Sequence, residues 1–453
     1  MRCIHKILLT CMLSSLLFVS CSNETVIIDK VENKQSEIAQ SEESGEKKIS
    51  SDKEKINEIV SDELEYIVNL IEEVHPNPYK YVSKNEILEQ GKEIFNEFSS
   101  ENEDEYFLYK RFLSLYKDPA LNVKYSNESR RKLKVNLIGG LSGVYVSKDS
   151  ENLKKGDKVV KIGGLPIEEL LQMGMKFTTC NTKDEVFCNL DNIIRDFHFL
   201  QDSGAINNGK VKVEVMRDSI SICENVSFVD EAIEYNYNNG YNVFDNKDIA
   251  VLDINSYENK KEENEEIQSF FEDSVNQSVD KILIDLRTDG NIHMNIIDEI
   301  IKNLKYKDYY NYHKKIKKSS QWEAASYEHD SFFKKIFLGK KTKSKNKNSF
   351  IYGKEIFLLV NGNSGTDAIR VANLIKNNFY GKVIGTNPTS NANNFGNEVE
   401  IQLSEKNIAI SVPTTEFIYQ GKMSKRLSVD IYSGKFNDNS INEKTLREIL
   451  YKD

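Results

Sequence analysis

The stretch "VNGNSGTDAIRVANLIKNN", residues 360–378, joins an apolar strand to an amphipathic helix through a turn that contains glycine. Two hydroxyl side chains, Ser364 and Thr366, stand on this turn. A hydroxyl at a helix N-terminus lies where the helix dipole stabilises developing negative charge. The stretch therefore predicts a strand, a turn and a helix, and it makes both hydroxyls candidate nucleophiles.

Continuous apolar runs flanked by helical patterns fill the C-terminal half of the chain. The runs are "IAVLDI" (249–254), "KILIDLR" (281–287) and "EIFLLVN" (355–361), separated by helical stretches near 262–276, 294–304 and 366–378. Such runs are typical of parallel strands covered on both faces. We predict an α/β domain over residues 239–453, with a mostly parallel core sheet and crossover helices. Shorter runs at 382–386 and 407–413 are expected to extend this sheet.

Open parallel sheets bind their ligands at the carboxyl ends of the strands. Here two such ends carry polar turns, "DLRTDGN" (285–291) and "VNGNSGT" (360–366). A backbone N–H of the first turn, at Gly290, is expected to point at the same oxygen as the helix N-terminus. The two turns together predict an acyl-transfer site.

The chain before residue 239 reads as two smaller units. Apolar residues at helical spacing predict a helical cap over 55–118, which Asp118-Pro119 ends. Residues 119–238 read as a β-rich module, and "GGLSGVYVSKDSENLKKGDKVVKIGGLPIEELL" (139–171) within it resembles the PDZ pattern. That resemblance implies an edge that accepts an extended peptide; a plain β-hairpin is the alternative.

Residues 305–350 form an insertion rich in lysine and tyrosine between the second and third core strands. Basic residues interleaved with aromatics can bind nucleic acid, but the chain as a whole has a formal charge of −10, which argues against that partner. We expect a solvated, mobile lid. Binding of anionic wall polymers or lipid headgroups is the alternative.

The N-terminus predicts export and lipid attachment. Residues 1–20 have two basic residues before a short apolar run, as secretion signals do. "FVSC" resembles the cleavage box of bacterial lipoproteins, which makes Cys21 the lipidation site. The apolar run is too short to favour a spanning helix. We expect a lipid-anchored protein on the extracytoplasmic face of the cell membrane, with residues 21–54 as a disordered tether.

No cofactor or metal is expected. The sequence contains no HExxH, no GxxxxGK[ST] and no CxxC pair, so metalloprotease, nucleotide hydrolase and zinc-site hypotheses have no starting point. Cys180, Cys188 and Cys223 are interpreted as small buried apolar residues.

The ordered succession of motifs resembles a known family, the tail-specific or C-terminal-processing serine peptidases with their tricorn-like relatives. "KILIDLRTDGN", "LLVNGNSGTDA", "KVIGTNPTSNANNFGN" and "IAISVPTTEFIY" occur in that family's order, and "EEVHPNPYKYVS" and "YKDPALNV" look like its N-terminal region. The resemblance covers most of residues 55–450. It implies a serine-type peptidase that takes peptides or unfolded protein as substrate.

The resemblance implies a nucleophile and an oxyanion residue, but it finds no match for the base. Aligned on Asn361, the family's serine falls on Thr366; shifting the frame by two residues places Ser364 there instead, and we favour Thr366. Gly290 would shape the oxyanion pocket. The family's histidine base belongs in a "Gly-Asp-x-His-Thr"-like turn, where this chain has Asp118-Pro119-Ala120-Leu121. The lysine of Ser-Lys members has no counterpart in "NPTSNANNFG" (387–396).

The missing base leaves two functions open. His75, His198, His293, His313 and His329 are not at matching positions, and each is expected to be a surface or capping residue. A hydroxyl without a base is a weak nucleophile. The chain is therefore either a serine-type peptidase or a pseudopeptidase that binds peptides or cell-wall components without cleaving them. A surface scaffold with neither property is the third interpretation.

Overall fold

The computed structural model describes most of the chain after residue 61. The described residues are 25–27, 62–98, 105–125, 129–140, 143–179, 191–232, 240–244, 248–254, 261–288, 292, 294–304, 308–325, 354–362, 364–388, 391–403, 408–422, 426–433 and 443–451. No helix among them is both long enough and apolar enough to cross a bilayer.

Helices and strands alternate through the C-terminal half and are grouped before it. The helices are α1 (62–74), α2 (Lys84–Glu97), α3 (Glu105–Ser114), α4 (Ile167–Met175), α5 (Asp191–Ile194), α6 (Phe197–Asp202), α7 (Lys261–Asn276), α8 (Met294–Leu304), α9 (Ser320–Ala325), α10 (Thr366–Phe379) and α11 (Glu443–Leu450).

The strands fall into four sheets. They are β1 (Thr25–Ile27), β2 (Asn122–Tyr125), β3 (Ser129–Leu133), β4 (Leu137–Gly140), β5 (Gly143–Val146), β6 (Lys158–Ile162), β7 (Leu165–Pro166), β8 (Val211–Arg217), β9 (Ile220–Val226), β10 (Phe228–Ala232), β11 (Gly240–Val243), β12 (Ile249–Asp253), β13 (Lys281–Asp285), β14 (Tyr312–Ile316), β15 (Glu355–Val360), β16 (Lys382–Gly385), β17 (Asn394–Gln402), β18 (Ile408–Tyr419) and β19 (Ile431–Tyr432).

The predicted α/β class is confirmed by a six-stranded sheet with the order β11-β12-β13-β15-β16-β19. Every neighbouring pair in it is parallel except β11 with β12, which is antiparallel. Both faces of the sheet are covered: Ile282 and Ile284 of β13 lie in one apolar core and Leu283 lies in another. This two-sided burial explains why the strands read as continuous apolar runs.

The run at 407–413 was expected to extend this sheet, but it does not. It belongs to β18, which pairs antiparallel with β17, β14 and β2 in a second sheet. Both faces of β18 are buried, with Ile410 and Val412 against the N-terminal helices and Phe417 against the α/β core. Burial on two sides gives the same apolar run in either sheet, so the run could not identify its partner strands.

The N-terminal helices share a core with the second sheet. Residues of α1, α2 and α3 pack with Val399 and Ile401 of β17 and with Ile410 and Val412 of β18. Residues near both ends of the described chain therefore build one apolar core. This core contains residues from both sides of the predicted domain boundaries at 118/119 and 238/239. The boundaries themselves stay predictions.

The β-rich module contains a six-stranded antiparallel sheet with the order β4-β5-β6-β8-β9, and β7 pairs with β6. Helix α4 packs its apolar side, including Leu170, into the core beneath this sheet. Cys223 of β9 is a free, exposed thiol, so its interpretation as a buried residue is wrong. Cys180 and Cys188 lie outside the described residues.

The start of the basic, aromatic insertion is built into the fold. Tyr309 and Tyr312 are buried, and β14 is an edge partner of β18. Asn378 of α10 holds the insertion through both main-chain groups of Tyr310, at 2.9 Å each. Residues 308–325 are thus packed into the fold and do not form a free lid. Residues 326–350 lie outside the described part of the chain.

The predicted signal peptide, Cys21 and most of the tether also lie outside the described residues. Within the tether, Thr25–Ile27 pairs in parallel with β17, so these three residues form an edge strand.

Candidate active site

The turns that follow β13 and β15 are bonded to each other. The Ser364 hydroxyl donates to the main-chain oxygen of Leu286 at 2.7 Å. The Gly365 N–H donates to the oxygen of Thr288, also at 2.7 Å. Because β13 and β15 are adjacent parallel strands, their carboxyl ends meet at one edge of the sheet, which is where ligand sites of such sheets lie.

Ser364 is fully buried, and its hydroxyl both donates and accepts a hydrogen bond. It donates to Leu286, and it accepts from the Asn361 N–H at 3.0 Å. A nucleophilic hydroxyl has to reach substrate and release its proton to a base. The geometry therefore argues against Ser364 as nucleophile and assigns it to holding the two turns together.

Thr366 is half-buried and is the first residue of α10. Gly365 is the N-cap and supplies no side-chain hydrogen bond to the helix. The Thr366 carbonyl accepts from Asn394 Nδ2 at 2.9 Å, while within the described residues its hydroxyl makes no hydrogen bond. Thr366 thus presents an uncommitted hydroxyl beside the partially positive end of a helix.

Gly290, the other predicted site residue, lies outside the described residues, as do Asp289 and Asn291. The described residues on either side of them, Thr288 and Ile292, are both bonded to the start of α10. The Ile292 N–H donates to Asp367 Oδ2 at 2.9 Å.

A buried arginine, which the sequence did not single out, ties these parts together. Arg370 is 2 % exposed and forms an ion pair with Asp367 one turn earlier on α10. Its Nη1 donates to Asn394 Oδ1 at 2.9 Å, and its guanidinium carbon lies 3.8 Å from the centroid of the Phe417 ring. Burial lowers the pKa of Arg370 to about 10, so it stays charged at neutral pH.

The resulting network runs from the Ile292 N–H through Asp367, Arg370 and Asn394 to the carbonyl of Thr366. It fixes the start of α10 against both the end of the first turn and strand β17. Charge-assisted hydrogen bonds of this kind are the stronger ones in proteins. The position of Thr366 is therefore determined by buried contacts on two sides.

His75 is not the surface residue that was expected, because it is 1 % exposed. Its Nδ1 accepts from the Asn77 N–H at 3.0 Å, so Nδ1 carries no proton. Nε2 therefore carries the proton and donates to Asp118 Oδ2 at 2.9 Å. With both nitrogens used, His75 holds the end of α1 to the turn that follows α3 and has no lone pair left for catalysis.

The turn after α3 carries alanine where the resemblance places a histidine. Ala120 is buried, and its N–H donates to Asp118 Oδ1 at 3.0 Å. Among the other histidines, His198 is exposed on α6 and His313 is half-buried on β14; His293 and His329 lie outside the described residues.

One further carboxyl, that of Glu398, was not identified from the sequence. Glu398 is half-buried on β17, and burial raises its pKa, while the charges of Arg370 and Lys124 act in the opposite direction. Carboxyls whose pKa is raised by burial are found often at functional sites. In the sequence Glu398 is one of several acidic residues in a strand of alternating polar and apolar residues. That pattern does not indicate that its carboxyl is buried.

Within the described part of the chain, no group of three or more histidine, cysteine, aspartate or glutamate side chains is arranged to hold a metal ion.

Two solved structures of CPAF share the overall fold. The crystal structure of mature CPAF has a TM-score of 0.58 and 11% sequence identity, covering 83% of this chain and 93% of CPAF. Mature CPAF complexed with lactacystin gives 0.56 and 11%, covering 80% and 90%. The photosystem II D1 C-terminal processing protease gives 0.39 and 11%, covering 83% and 93%.

A search of curated proteins gave no match. The sequence model of Peptidase family S41 matches residues 248–428, a range that begins at β12, contains both turns of the site and ends after β18. The predicted resemblance to the tail-specific serine peptidases is confirmed over residues 248–428, which match the Peptidase family S41 model.

Proposed function

We propose that the protein is a serine-type peptidase that cleaves peptides or the C-termini of unfolded proteins at the outer surface of the membrane, with Thr366 as the nucleophile. The observation that carries the proposal is the position of the Thr366 hydroxyl. It is half-buried at the first residue of α10, uncommitted among the described residues, where the ends of β13 and β15 meet.

This position suits acyl transfer. The Thr366 oxygen would attack a peptide carbonyl, and the N-terminus of α10 would stabilise the negative charge that develops on the carbonyl oxygen. Gly290 is proposed to supply a second N–H to that oxygen. Family membership supports the reaction type, and the site supplies the attacking group.

The substrate is proposed to be an extended chain. The six-stranded sheet of the β-rich module has β4 and β9 at its edges, and sheet edges bind extended peptides through main-chain hydrogen bonds. We propose that the PDZ-like module captures the chain end and presents it to Thr366. The net charge of −10 does not favour nucleic acid as a partner.

Fluorescently labelled casein, an unfolded protein, provides the test of activity. Thr366→Val keeps the shape of the side chain and removes the hydroxyl, so we expect it to abolish cleavage. Thr366→Ser restores a hydroxyl and should retain cleavage. The matched control is Thr414→Val, on the same α/β half of the chain but with its hydroxyl bonded to the oxygen of Asn397. Cleavage that survives in Thr366→Val would refute the proposal.

A pseudopeptidase is the second candidate, and a specific observation favours it. Ala120 stands in the turn where the family resemblance implies a histidine, and both nitrogens of His75 are already used. Such a protein would bind a casein peptide with the same dissociation constant in wild type and Thr366→Val and would release it unchanged. Equal binding with no cleavage over a day of incubation would select this candidate; turnover would reject it.

Attachment to the membrane through Cys21 is proposed separately, because it concerns residues outside the described part. Two acyl chains on one cysteine give stable membrane binding. Growth of expressing cells with radiolabelled palmitate should label the wild type in the membrane fraction, and Cys21→Ser should lose both the label and that location. A membrane-bound Cys21→Ser protein would contradict the proposal.

A further inference from the structure

The side chain of Asn394 joins the start of β17 to the first residue of α10. Asn394 is buried, and its Nδ2 donates to the main-chain oxygen of Thr366 at 2.9 Å. Strand β17 belongs to the second, antiparallel sheet, whereas α10 follows a strand of the parallel sheet. One side chain therefore ties the main chain of the residue with the candidate hydroxyl to a different sheet.

A guanidinium decides which way the Asn394 amide points. Arginine can only donate hydrogen bonds, and Arg370 Nη1 donates to Asn394 Oδ1 at 2.9 Å. If the amide were turned over, its NH2 group would face the guanidinium and its oxygen would face the Thr366 carbonyl. Donor would then meet donor, and acceptor would meet acceptor. Arg370 thus keeps Nδ2 on the side of Thr366.

The guanidinium of Arg370 is itself fixed in place. Asp367 forms an ion pair with it, and the ring centroid of Phe417 lies 3.8 Å from its central carbon. On β17, a methyl group placed on Gly396 would lie 2.9 Å from Nη1 and 3.2 Å from Nη2. Side chains two residues apart on a strand share a face. The absence of a side chain at Gly396 therefore gives the guanidinium the room to reach Asn394.

Stability alone does not account for this buried arginine. Arg370 Nε is buried and has no hydrogen-bond partner among the described residues, and an unmet buried donor destabilises a fold. Well-packed apolar side chains can replace a buried ion pair with little or no loss of stability. The orientation that Nη1 imposes on Asn394 explains the arrangement better than the burial of a charge does.

We propose that Asn394, oriented by Arg370, is a positioning residue of this site: it fixes the main chain of Thr366 so that the hydroxyl keeps the place from which it attacks the substrate carbonyl. This role rests on the proposed peptidase function and adds to it a residue that touches no reacting atom. Rates depend steeply on such placement, since a shift of about 1 Å can lower a rate by about 100-fold.

Asn394→Asp separates positioning from support of the fold. Aspartate has the same shape and still accepts from Arg370, through a stronger, charge-assisted bond. It has no proton to donate to the Thr366 carbonyl, and the two oxygens repel each other. With labelled casein and the full chain, we expect kcat to fall by about 10- to 100-fold and KM to stay within about twofold. The melting temperature should stay near that of wild type, because the gain at Arg370 offsets the loss at Thr366.

Asn378→Asp is the matched control, near the opposite end of α10 from Thr366. Asn378 is also buried, and its Nδ2 donates to the main-chain oxygens of Tyr310 and Leu374 at 2.9 Å each. The substitution removes the same kind of bond away from the candidate nucleophile. Its kcat should stay near wild type while its melting temperature falls, which is the reverse of the result expected for Asn394→Asp.

Gly396→Ala disturbs the same bond without changing Asn394 or Arg370. Gly396 has no positive φ, so the added methyl group acts by displacing the guanidinium, and kcat should fall at unchanged KM. In the double variant with Asn394→Asp the two losses should combine to less than their product, because both act on one bond. Gly240→Ala, where the nearest atom to a Cβ lies 3.8 Å away, should match wild type.

The outcomes distinguish this role from the proposed function. If Thr366→Val is inactive but Asn394→Asp keeps the wild-type kcat, the peptidase function stands and the positioning role is refuted. A fall in kcat that merely follows a lower melting temperature also refutes it. If the wild type cleaves no casein, both the function and this role are overturned. A lower kcat at unchanged KM and melting temperature, together with an active Asn378→Asp, supports the role.

Discussion

The hydroxyl of Ser364 and the main-chain oxygen of Leu286 are joined by a 2.7 Å hydrogen bond that crosses between the ends of two adjacent parallel strands. Ser364 also accepts from the Asn361 N–H. One side chain thus satisfies a buried donor of its own turn and a buried acceptor of the neighbouring turn. Its contribution is to stability, and Thr366 is the proposed nucleophile.

Ser364→Ala is predicted to destabilise the protein without removing activity from the folded fraction. The substitution leaves the Asn361 N–H and the Leu286 oxygen with unmet hydrogen-bonding capacity, which costs about 1–3 kcal/mol for a buried group. Urea unfolding followed by circular dichroism measures the change, and casein cleavage well below the melting temperature measures the activity. A variant with wild-type stability and no activity would show that Ser364 takes part in the chemistry.

Arg370 is predicted to contribute to stability mainly as the partner of Asp367. Arg370→Met retains apolar contact with Phe417 but leaves Asp367 without its cation, and breaking a buried pair costs about 3–5 kcal/mol. The double variant Arg370→Met/Asp367→Asn removes both charges and should regain part of that loss. Unfolding free energies of the two single variants and the double variant give the coupling; additive effects would contradict the pairing.

The sequence predicted the α/β sheet because its signal is local. In the runs at 249–254, 281–287 and 355–361 every residue is apolar except those at the ends of a run and the aspartates, Asp253 and Asp285, that end their strands. Burial on both faces requires that pattern. The same reasoning failed for β18. Its run is equally apolar, but the second cover is the N-terminal helical layer, which is distant in sequence and could not be paired with it.

The two turns of the candidate site were predicted from the sequence, but the contacts around them were not. The two turns were found because Gly, Ser and Thr follow apolar runs, and the sequence favoured Thr366 over Ser364, two residues earlier, only through the alignment on Asn361. The physical reason for that preference appears only in the fold, where Leu286 and Asn361 occupy the hydroxyl of Ser364 with hydrogen bonds. His75 was taken for a surface residue because its burial comes from contact with Phe395, 320 positions later, where the ring centroids lie 4.5 Å apart.

Asp248 is predicted to make the protein less stable in acid. Arg447 of α11 donates two hydrogen bonds to its carboxylate, and the Tyr451 hydroxyl adds a third at 2.7 Å. The bonds from Arg447 are the main cause that lowers the pKa of Asp248 to about 2. Because the folded-state pKa lies below the unfolded-state value, the stabilisation is complete above about pH 4. It is lost as the pH falls toward 2.

Asp248→Asn tests this prediction. A lowering of nearly two pH units corresponds to about 2 kcal/mol, so the variant should be less stable than wild type at pH 6 by about that amount and nearly equal to it at pH 2. Glu265→Gln, whose carboxylate is largely exposed on α7, is the control and should follow the wild-type curve. A constant difference between Asp248→Asn and wild type at all pH values would contradict the linkage.

Gly385, at the end of β16, is predicted to tolerate no side chain. Its φ is +117°, and a Cβ built there would lie 1.9 Å from the main-chain oxygen of Val360, the last residue of β15. The next residue, Thr386, donates its N–H to that same oxygen at 3.0 Å. The close approach therefore allows a main-chain hydrogen bond that fixes the start of the turn after Val360, and a methyl group would push the two strands apart.

Gly385→Ala separates this collision from backbone strain when it is compared with Gly156→Ala. Gly156 also has a positive φ, +95°, but nothing lies within 4 Å of a Cβ placed there. Backbone strain costs roughly 1–3 kcal/mol at either position, so the excess in Gly385→Ala measures the collision. We expect that excess to be larger than 1 kcal/mol by the usual size of overpacking effects, about 1–3 kcal/mol, in urea unfolding. Equal losses in the two variants would mean that β15 and β16 can move apart freely.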